Sequence, residues 1–377
     1  MEDKTSVQAQ MLANRLQKRF RHLKKWALRN GTGAFRLYDR DIPEIPLVFD
    51  FYGDCAQELT IGEIQKAAIC GALYKRPYEK DPNDEEQWLT AMKDSITNTL
   101  LIKPENIFIK YRQKQKGASQ YEKMGKARFE KIVSENELSF KVNLSDYLDT
   151  GLFIDRRLLR AMIRTEAAGK KVLNLFSYTG SFSVYAAAGG AASTDSVDLS
   201  NTYLNWAREN FSLNGFSASL LQTWEFLPNT SRKDVEPSVR GARRAQRIFE
   251  DENKENISAH KLIRADVLDF LEKAVTARKH WDIIILDPPA FSNSKKMTDS
   301  FDLNRDLIEL LEKCLKILTP GGKIFLSINL RRGAPMPEEL EAELKNTRIT
   351  DLENLIIDED FKGKKIPKAF CLELLKK

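Results

Sequence analysis

The spacing of the hydrophobic residues divides the chain near residue 155 into two parts of different architecture. Over residues 7–30, apolar side chains recur at nearly helical intervals with basic residues between them, which predicts an amphipathic helix with one cationic face. Residues 35–109 alternate short β-like runs with a helical stretch around 85–101, a pattern typical of a small α+β domain. Residues 138–154 are interpreted as a hairpin or a connector. We therefore expect the first part to be a helix followed by a small domain.

Beyond residue 155, apolar strand-like runs alternate with helical stretches. This order is typical of a parallel sheet with helices on both faces. The predicted strands are 171–176, 193–198, 261–265, 282–286 and 323–328, with two closing strands near 349–357 and 369–374. The second part is therefore predicted to be an α/β domain with a seven-stranded, Rossmann-like, doubly wound sheet.

These patterns predict three regions and one insertion. The regions are a basic helix over 1–34, a small α+β domain over 35–141 and the α/β domain over 142–377. Residues 217–259 have little periodicity, and so long a connection is rare in a compact domain, which predicts a mobile insertion. It is interpreted either as a solvated loop or as an arm that touches RNA. The second interpretation depends on a basic cluster formed by Arg240, Arg243, Arg244 and Arg247.

The composition narrows the class of protein. With 42% hydrophobic and 30% charged residues, this chain of 377 residues is neither collagenous nor wholly disordered. It has no run of about 18 apolar residues and no apolar leader, so we expect a cytoplasmic protein without a membrane partner. The four cysteines form no CxxC pair and the three histidines are isolated, so neither a disulfide framework nor a metal site is expected.

Two segments of the first part have the composition of a nucleic-acid surface. Residues 1–40 hold ten Lys or Arg against three acidic residues, a larger surplus than the +6 of the whole chain. Residues 110–123 interleave cations, amides and two tyrosines without core periodicity, so that cations can meet phosphates and rings can stack on bases. A solvated charged loop is the alternative for 110–123. The candidate RNA contacts are Arg112, Lys114, Lys116, Gln120, Tyr121, Lys24 and Lys25.

A glycine-containing turn follows the first strand of the α/β part. Residues 174–181 read NLFSYTGS and precede a helix of small residues, so backbone amides and a helix N-terminus point to the carboxyl edge of the sheet. The spacing is not GxGxxG, and no GK[ST] follows. A nicotinamide or nucleoside triphosphate ligand is therefore disfavoured.

Acidic residues end the next two strands. Asp198 lies some twenty residues after the turn, where a carboxylate can accept both hydroxyls of a ribose. Asp266 ends the third strand and can accept from an exocyclic adenine amine. Each of them can instead be a helix cap. Three such strand ends in order favour an adenosine-type ligand without a pyrophosphate.

The fourth strand ends in the most specific motif of the chain. A buried apolar run is followed by Asp287, Pro288, Pro289, Ala290 and Phe291. Two prolines stop the strand and stiffen the loop at the same edge of the sheet. Such a loop can hold a flipped-out base, with Phe291 stacking on it. The alternative is a plain strand end with a buried phenylalanine.

With these motifs, residues 150–377 resemble the class I S-adenosylmethionine-dependent methyltransferases. Longer segments resemble the RlmK family, bacterial 23S rRNA guanine-N7 methyltransferases that are often the C-terminal half of a fused protein whose other half methylates guanine N2. The segments are RQKQKGASQY (112–121), VNLSDYLDTGLFIDRR (142–157), LNLFSYTGSFSV (173–184), VDLSNTYLNWARENFSLNG (197–215) and LDPPAFSNSKKM (286–297). Because this chain begins directly at the helix, we expect a stand-alone enzyme. The insertion at 217–259 departs from the family pattern.

The resemblance implies S-adenosylmethionine as cofactor and 23S rRNA, free or in a pre-50S particle, as partner. It makes 35–141 an RNA-binding domain and 142–377 the methyltransferase domain. The implied cofactor contacts are Asn174, Phe176, Tyr178, Gly180, Asp198, Asp266 and Asp287, with Asp155 and Arg157 closing over the methionine end. The last two can instead be a cap and a surface ion pair. The implied catalytic residues are Asp287, Pro288, Pro289 and Phe291, while Asn293 donates to guanine O6 or is a turn residue.

The absence of a suitable thiol favours nitrogen as the methyl acceptor. Guanine N7 is an unprotonated lone pair and needs neither a general base nor a covalent intermediate. Carbon-5 of cytosine needs a thiolate, but neither DPPAF nor the fifth strand LSINL contains a cysteine, and Cys314 and Cys371 are expected to be packing residues. The alternatives are a cytosine-C5 rRNA enzyme of the RlmI type, a catalytically silent RNA-binding assembly factor and, more weakly, an adenine-N6 DNA enzyme.

Overall fold

The computed structural model describes residues 3–53, 60–76, 78, 80–112, 128–222, 258–292, 301–329, 335–364 and 366–375. The chain forms two compact units. Unit 1 is Met1–Arg157 with Ile357–Ile366, and unit 2 is Leu158–Ile356 with Pro367–Lys377. In the described part of the chain, no helix has the length and apolarity that a membrane span requires.

Unit 1 contains the predicted amphipathic helix and a four-stranded sheet. Its elements are α1 (Lys4–Arg29), β1 (Ala34–Asp39), β2 (Leu47–Tyr52), α2 (Ile61–Lys66), β3 (Ala68–Tyr74), α3 (Pro82–Leu100), β4 (Ile107–Arg112), β5 (Glu130–Glu135) and β6 (Leu138–Asn143). The sheet has the order β1-β2-β3-β4, with only β3 and β4 parallel, and β5 and β6 form a separate hairpin. The predicted boundary at residue 141 would cut β6, whereas the division falls at Arg157.

The core of unit 1 lies between α1, α3 and one face of the sheet. Leu12, Leu16 and Leu23 of α1 are fully buried, as the helical spacing of the sequence predicts. The rings of Phe35 and Phe51 stack at 4.8 Å on the sheet face below. Burial of this apolar stripe fixes which side of α1 faces inward, and therefore which side faces solvent.

The segment 357–366 completes unit 1 from the far end of the sequence. Arg157 Nη1 lies 2.7 Å from Asp358 Oδ2 and 3.3 Å from Asp360 Oδ1. Its Nη2 donates to the carbonyl of Ala34 at 2.7 Å, and its Nε lies 3.4 Å from Glu135 Oε2. Burial alone would lower the pKa of Arg157, but the carboxylates outweigh burial and raise it. The returning segment is therefore held by a buried ionic cluster.

Unit 2 has the predicted α/β fold. Its elements are α4 (Arg157–Glu166, with Arg157 itself in unit 1), β7 (Lys171–Leu175), α5 (Ser181–Ala188), β8 (Ser193–Asp198), α6 (Asn201–Leu213), β9 (Ser219–Leu221), β10 (His260–Arg264), α7 (Val267–Thr276), β11 (Trp281–Leu286), β12 (Phe291–Ser292), β13 (Phe301–Asp302), α8 (Leu303–Lys316), β14 (Leu318–Ile328), α9 (Pro337–Glu343), β15 (Thr347–Asp351), α10 (Glu353–Ile356) and β16 (Lys368–Leu374). The large sheet has the order β15-β16-β14-β11-β7-β8-β10-β9.

Among the described residues the large sheet has eight strands, so the predicted number of seven is wrong. The additional strand β9 lies within the predicted insertion and pairs in parallel with β10, with Leu220 opposite Leu262. Its three residues are too short to give a recognisable alternation. The other predicted strands are present, although residues 353–356, assigned to a strand near 349–357, form a helix. Residues 223–257, which hold the arginine cluster, lie outside the described residues.

Candidate functional site

The register of the central strands brings the predicted ligand residues to one edge. Leu286 of β11 pairs with Leu175 of β7, and Leu175 pairs with Val197 of β8. Phe176, Asp198 and Asp287 are the next residues on these three adjacent parallel strands, so they leave the sheet at the same level. With neighbouring strands about 4.8 Å apart, Asp198 and Asp287 lie on strands about 10 Å apart, on either side of the β7 turn.

The turn after β7 has a strained backbone. Phe176 and Tyr178 adopt positive φ angles of 55° and 50°, and Gly180 one of 73°. A non-glycine residue in this region costs about 1–3 kcal/mol and persists only where neighbours enforce it. Here Ser177 N donates to the carbonyl of Val197 at 3.0 Å, and Tyr178 N donates to Asp198 Oδ2 at 2.9 Å. The end of β8 therefore holds the turn in its strained shape, which is typical of a functional site.

Gly180 allows the turn to pack closely on α6. A Cβ added at this position would lie 2.8 Å from Ala207 Cβ, closer than real Cβ atoms approach. Asn210, also on α6, donates from Nδ2 to the carbonyl of Thr179 at 2.9 Å. Gly180 and Asn210 together set the distance between the turn and α6.

Asn174, the second-last residue of β7, is hydrogen-bonded to the helix that follows the turn. It is 1% exposed, and its Nδ2 donates to Ser183 Oγ at 2.9 Å, which also accepts from Ser196 Oγ at 2.7 Å. Sequence reasoning missed Ser183, Ser196 and Asn210. These three residues could have been identified because they are polar but stand in segments whose hydrophobic spacing predicts full burial. This network gives Asn174 a positioning role, and a direct cofactor contact remains a prediction.

Asp198 has the electrostatics of a ligand carboxylate. It is half-buried, with Oδ2 accepting from Tyr178 N and Oδ1 accepting from Ser200 N at 2.8 Å. Burial raises its pKa to about 6, against the opposing effect of hydrogen bonds from the amides of Ser200, Tyr178 and Leu199. Each carboxylate oxygen has a second lone pair, so hydroxyl donors can still bind.

Asp266 has one of the two roles that the sequence left open, and the other remains a prediction. It is the N-cap of α7, where Oδ1 accepts from Leu268 N at 2.9 Å and from Asp269 N at 3.2 Å. Among the described residues, Oδ2 has no hydrogen-bond partner, and the side chain is half-buried. One oxygen is therefore used by the helix and the other is available to an amine.

The loop of residues 287–291, which we call the Asp287 corner, is held in place by the antiparallel pairing of β12 with β13. Phe291 pairs with Asp302 in an antiparallel bridge, and Leu303 N donates to the carbonyl of Ala290 at 3.1 Å. Pro288 is buried, whereas Phe291 is 46% exposed. A buried phenylalanine at a plain strand end is therefore wrong, and the ring is available for stacking. Asn293 lies outside the described residues.

Asp155 and Arg157 belong to unit 1 and differ in their contacts. Asp155 is half-buried and pairs with its neighbour Arg156 at 2.8 Å. Arg157 is 2% exposed and contacts the buried carboxylates of unit 1 described above. We therefore assign Arg157 a structural role. A contact of Asp155 with the methionine end remains a prediction.

The predicted RNA contacts are described only in part. Lys25 is exposed on α1, whereas its neighbour Lys24 is half-buried. The backbone of Arg112 ends β4, opposite Tyr74. Lys114, Lys116, Gln120 and Tyr121 lie outside the described residues.

None of the described cysteines lies at the carboxyl edge with the properties of a nucleophile. Cys314 is buried within α8, and burial raises its pKa. Cys371 pairs with Phe325 in mid-strand, three residues inside β16, and burial raises its pKa to about 11. Cys70, in the sheet of unit 1, is also buried, and burial raises its pKa to about 11. In the part of the chain that the structure describes, burial therefore disfavours the thiolate form of every cysteine.

The site residues fit an adenosine-type methyl donor. A strained turn, a carboxylate with free lone pairs and a helix cap with one unused oxygen follow β7, β8 and β10, in that order. No glycine-rich pyrophosphate loop accompanies them. The fold and the site define a class I S-adenosylmethionine-dependent methyltransferase.

Comparisons with known proteins agree. Residues 54–228 match the family model of S-adenosylmethionine-dependent methyltransferases. The crystal structure of SMU.776 with SAH bound superposes with a TM-score of 0.64 at 22% identity, covering 97% of this chain and 81% of that one. S-adenosylmethionine is therefore the cofactor, and the predicted fold class is confirmed.

Curated relatives identify the family. The chain is 40% identical to ribosomal RNA large subunit methyltransferase K of Neisseria meningitidis, covering 95% of this chain and 85% of that protein. It is 39% identical to ribosomal RNA large subunit methyltransferase K/L of Methylococcus capsulatus, covering 94% of this chain but only 41% of that protein. The chain belongs to the ribosomal RNA large subunit methyltransferase K family, and the predicted resemblance is confirmed.

Proposed function

We propose that the protein methylates N7 of a guanine in 23S rRNA, with the base flipped into the corner formed by Asp287, Pro288, Pro289 and Phe291. The observation that carries the proposal is this corner, where an acid and an exposed ring follow a buried strand directly beside the β7 turn. The names of the relatives, ribosomal RNA large subunit methyltransferases, support the substrate class. The substrate is free 23S rRNA or an assembling large-subunit particle, and the expected location is the cytoplasm.

S-adenosylmethionine, when bound, supplies a methyl group on a sulfonium centre. We propose that Asp198 accepts the ribose hydroxyls and Asp266 Oδ2 accepts from the adenine amine. The turn of Phe176, Tyr178 and Gly180 follows β7, which lies between the strands that end at Asp198 and Asp287. These assignments use only acceptors that the chain leaves available.

The acceptor chemistry requires alignment rather than proton transfer. N7 of guanine carries no proton, so no residue has to act as a base. Alignment of reacting groups can contribute about 7–11 kcal/mol in well-oriented systems. A rigid corner supplies it, because the two prolines and the ladder to β13 restrict the loop.

Asp287 is proposed to orient the base first and to stabilise the positive charge of the methylated ring second. A carboxylate equally close to sulfur and purine would stabilise the starting state and the transition state alike and give no acceleration. Its electrostatic effect therefore depends on its lying nearer the purine. Phe291 is proposed to stack on the flipped base, an interaction worth about 1–3 kcal/mol.

The other candidate functions are less well supported. Cytosine-C5 methylation needs a thiolate, and the described cysteines are buried or lie away from the corner. A silent assembly factor has no need of a strained turn, a high-pKa carboxylate and an exposed ring on adjacent strand ends.

Product analysis tests this proposal. Purified protein, S-adenosylmethionine and protein-free 23S rRNA are incubated, and the digested nucleosides are identified by mass spectrometry. We expect 7-methylguanosine; 5-methylcytidine would overturn the assignment. Asp287→Ala should abolish transfer with the fold intact. Asp287→Asn keeps an oxygen acceptor without the charge, so it should retain more activity if orientation dominates.

A further inference from the structure

The helix α1 carries two sets of basic residues with different surroundings. One set is paired within unit 1: Arg15 Nε lies 2.7 Å from Asp41 Oδ2, Arg19 Nη2 donates to the carbonyl of Asp360 at 3.2 Å, and His22 Nε2 lies 2.8 Å from Glu359 Oε1. These contacts attach the helix to the body of unit 1. They also engage the guanidinium groups of Arg15 and Arg19 within unit 1.

The second set forms a cationic stripe, which we define as Lys18, Arg21, Lys25 and Arg29. All four side chains are exposed, and none forms an ion pair or side-chain hydrogen bond with a residue that the structure describes. At about 100° per residue, Lys18, Lys25 and Arg29 lie within about 20° of one line along the helix, and Arg21 lies about 60° away. Lys24, which the sequence singled out, lies about 120° from this line.

The charge of the stripe is not balanced along α1. The helix has 26 residues, and none of them is Asp or Glu. Surface helices usually intersperse both signs of charge. Repulsion between four unpaired cations along about 16 Å of helix is unfavourable for the isolated protein, which indicates that the stripe meets an anionic partner.

The helix presents the stripe in a fixed position. Leu12, Leu16 and Leu23 are buried beneath it. The N-terminal half is tied to α3, where Trp88 Nε1 donates to Gln8 Oε1 at 2.6 Å and Ser95 Oγ donates to the carbonyl of Ala9 at 2.8 Å. The cations therefore have a preset spacing, and binding has only their side chains to order.

We propose that the cationic stripe binds the phosphate backbone of a double-stranded segment of the substrate RNA. The inference rests on the proposed function, since it takes the substrate to be ribosomal RNA. The stripe has cations but no aromatic side chain, because Trp26 is buried and Phe20 half-buried on the inner faces of α1. Single-stranded recognition uses rings that stack on bases, whereas a duplex is contacted through its phosphates.

The test replaces the four cations with glutamine, which removes the charge but keeps a polar side chain of similar helix propensity. The variant Lys18→Gln, Arg21→Gln, Lys25→Gln, Arg29→Gln is compared with wild type for binding to protein-free 23S rRNA over a range of salt concentrations. Each lost phosphate contact lowers the slope of log K against log salt by about 0.7–0.9, so the slope should fall by about 3. Affinity at about 0.1 M salt should fall more than tenfold.

A matched control removes the same charge elsewhere. Lys66, Lys103, Lys170 and Lys345 are exposed and take part in no ion pair with described residues. Their fourfold replacement by glutamine should leave slope and affinity near wild type. Both variants should keep wild-type helicity by circular dichroism and wild-type affinity for S-adenosylmethionine.

Failure of the inference about the cationic stripe can be distinguished from failure of the proposed function. An unchanged salt slope in the stripe variant overturns the inference, even if wild type methylates N7. An equal loss of binding to a single-stranded homopolymer overturns the duplex assignment. If wild type gives no 7-methylguanosine while the stripe variant still loses duplex RNA, the stripe stands and the proposed function fails.

Discussion

At the scale of single residues, the site depends on groups kept in unfavourable states. Asp198 is a carboxylate whose burial raises its pKa to about 6, and Phe176 and Tyr178 are held at positive φ. Both features cost stability in the protein without ligand. Groups of this kind are typical of binding sites, because contacts with a bound ligand can offset their unfavourable free energy.

The pKa of Asp198 predicts how cofactor affinity depends on pH. The folded-state pKa lies above the usual value, so the carboxyl is protonated below about pH 6 and charged above it. In the contact that we propose, the charged carboxylate is the stronger acceptor for the ribose hydroxyls. The dissociation constant for S-adenosylmethionine should be level above pH 7 and rise below 6, by up to about tenfold per pH unit.

Isothermal titration calorimetry between pH 5 and about 8 measures this profile. Asp198→Asn should bind weakly with no such rise. A level profile for wild type across the range would remove Asp198 from the cofactor site.

Gly180 allows a second residue-scale prediction with an internal control. Gly180 and Gly169 have similar positive φ angles of 73° and 68°, but only Gly180 has a neighbour that an added Cβ would strike. Gly180→Ala and Gly169→Ala should each lose about 1–2 kcal/mol of stability to backbone strain. Only Gly180→Ala should also weaken S-adenosylmethionine binding, by at least tenfold, because it displaces the turn from α6. Equal affinities in the two variants would contradict this account of the turn.

At the scale of helices and strands, the sequence predicted most of the architecture. The alternation after residue 155 located the strands of the parallel sheet, and the strand ends at Asp198, Asp266 and Asp287 gave candidate ligand residues. Parallel sheets place all such ends at one edge, so adjacency follows from the pattern once the strand order is known. β9 was missed because three residues at a sheet edge carry no periodicity.

The sequence did not predict the long-range contacts, and the reason is different. Arg157 and Asp360 are 203 residues apart, and no local pattern indicates that they meet. The Asp-Arg pair in LFIDRR was therefore interpreted through its resemblance to a family segment. The strain of the β7 turn also depends on β8 and α6, and cannot be inferred from residues 174–181 alone.

The buried cluster around Arg157 gives an element-scale prediction. Arg157→Met leaves the carboxylates of Glu135, Asp358 and Asp360 without their cation, which should cost about 3–5 kcal/mol. Lys323→Met breaks an ion pair with Glu166 whose partners are 30% and 41% exposed, and should cost less than about 1 kcal/mol. Urea unfolding followed by circular dichroism compares the two. Similar losses would show that the returning segment is not held by this cluster.

At the scale of the whole molecule, the two units have different chemistry. Unit 2 contains the strand ends where we propose that the methyl donor and the flipped base bind, whereas α1 of unit 1 carries the cationic stripe and no acidic residue. We infer that unit 1 supplies much of the affinity for RNA, whereas unit 2 aligns the guanine base with the methyl donor. Changes in the stripe should therefore affect the salt dependence of binding, and changes at the Asp287 corner should affect turnover.

Replacing a single atom of guanine shows whether its N7 lone pair is the methyl acceptor. Transcripts of 23S rRNA are made with GTP or with 7-deaza-GTP, in which a C–H group takes the place of N7, and methyl incorporation from labelled S-adenosylmethionine is measured. Comparable binding of the two transcripts serves as the control for RNA folding. We predict incorporation into the GTP transcript and none into the 7-deaza transcript; equal incorporation into both would place the methyl group on another atom.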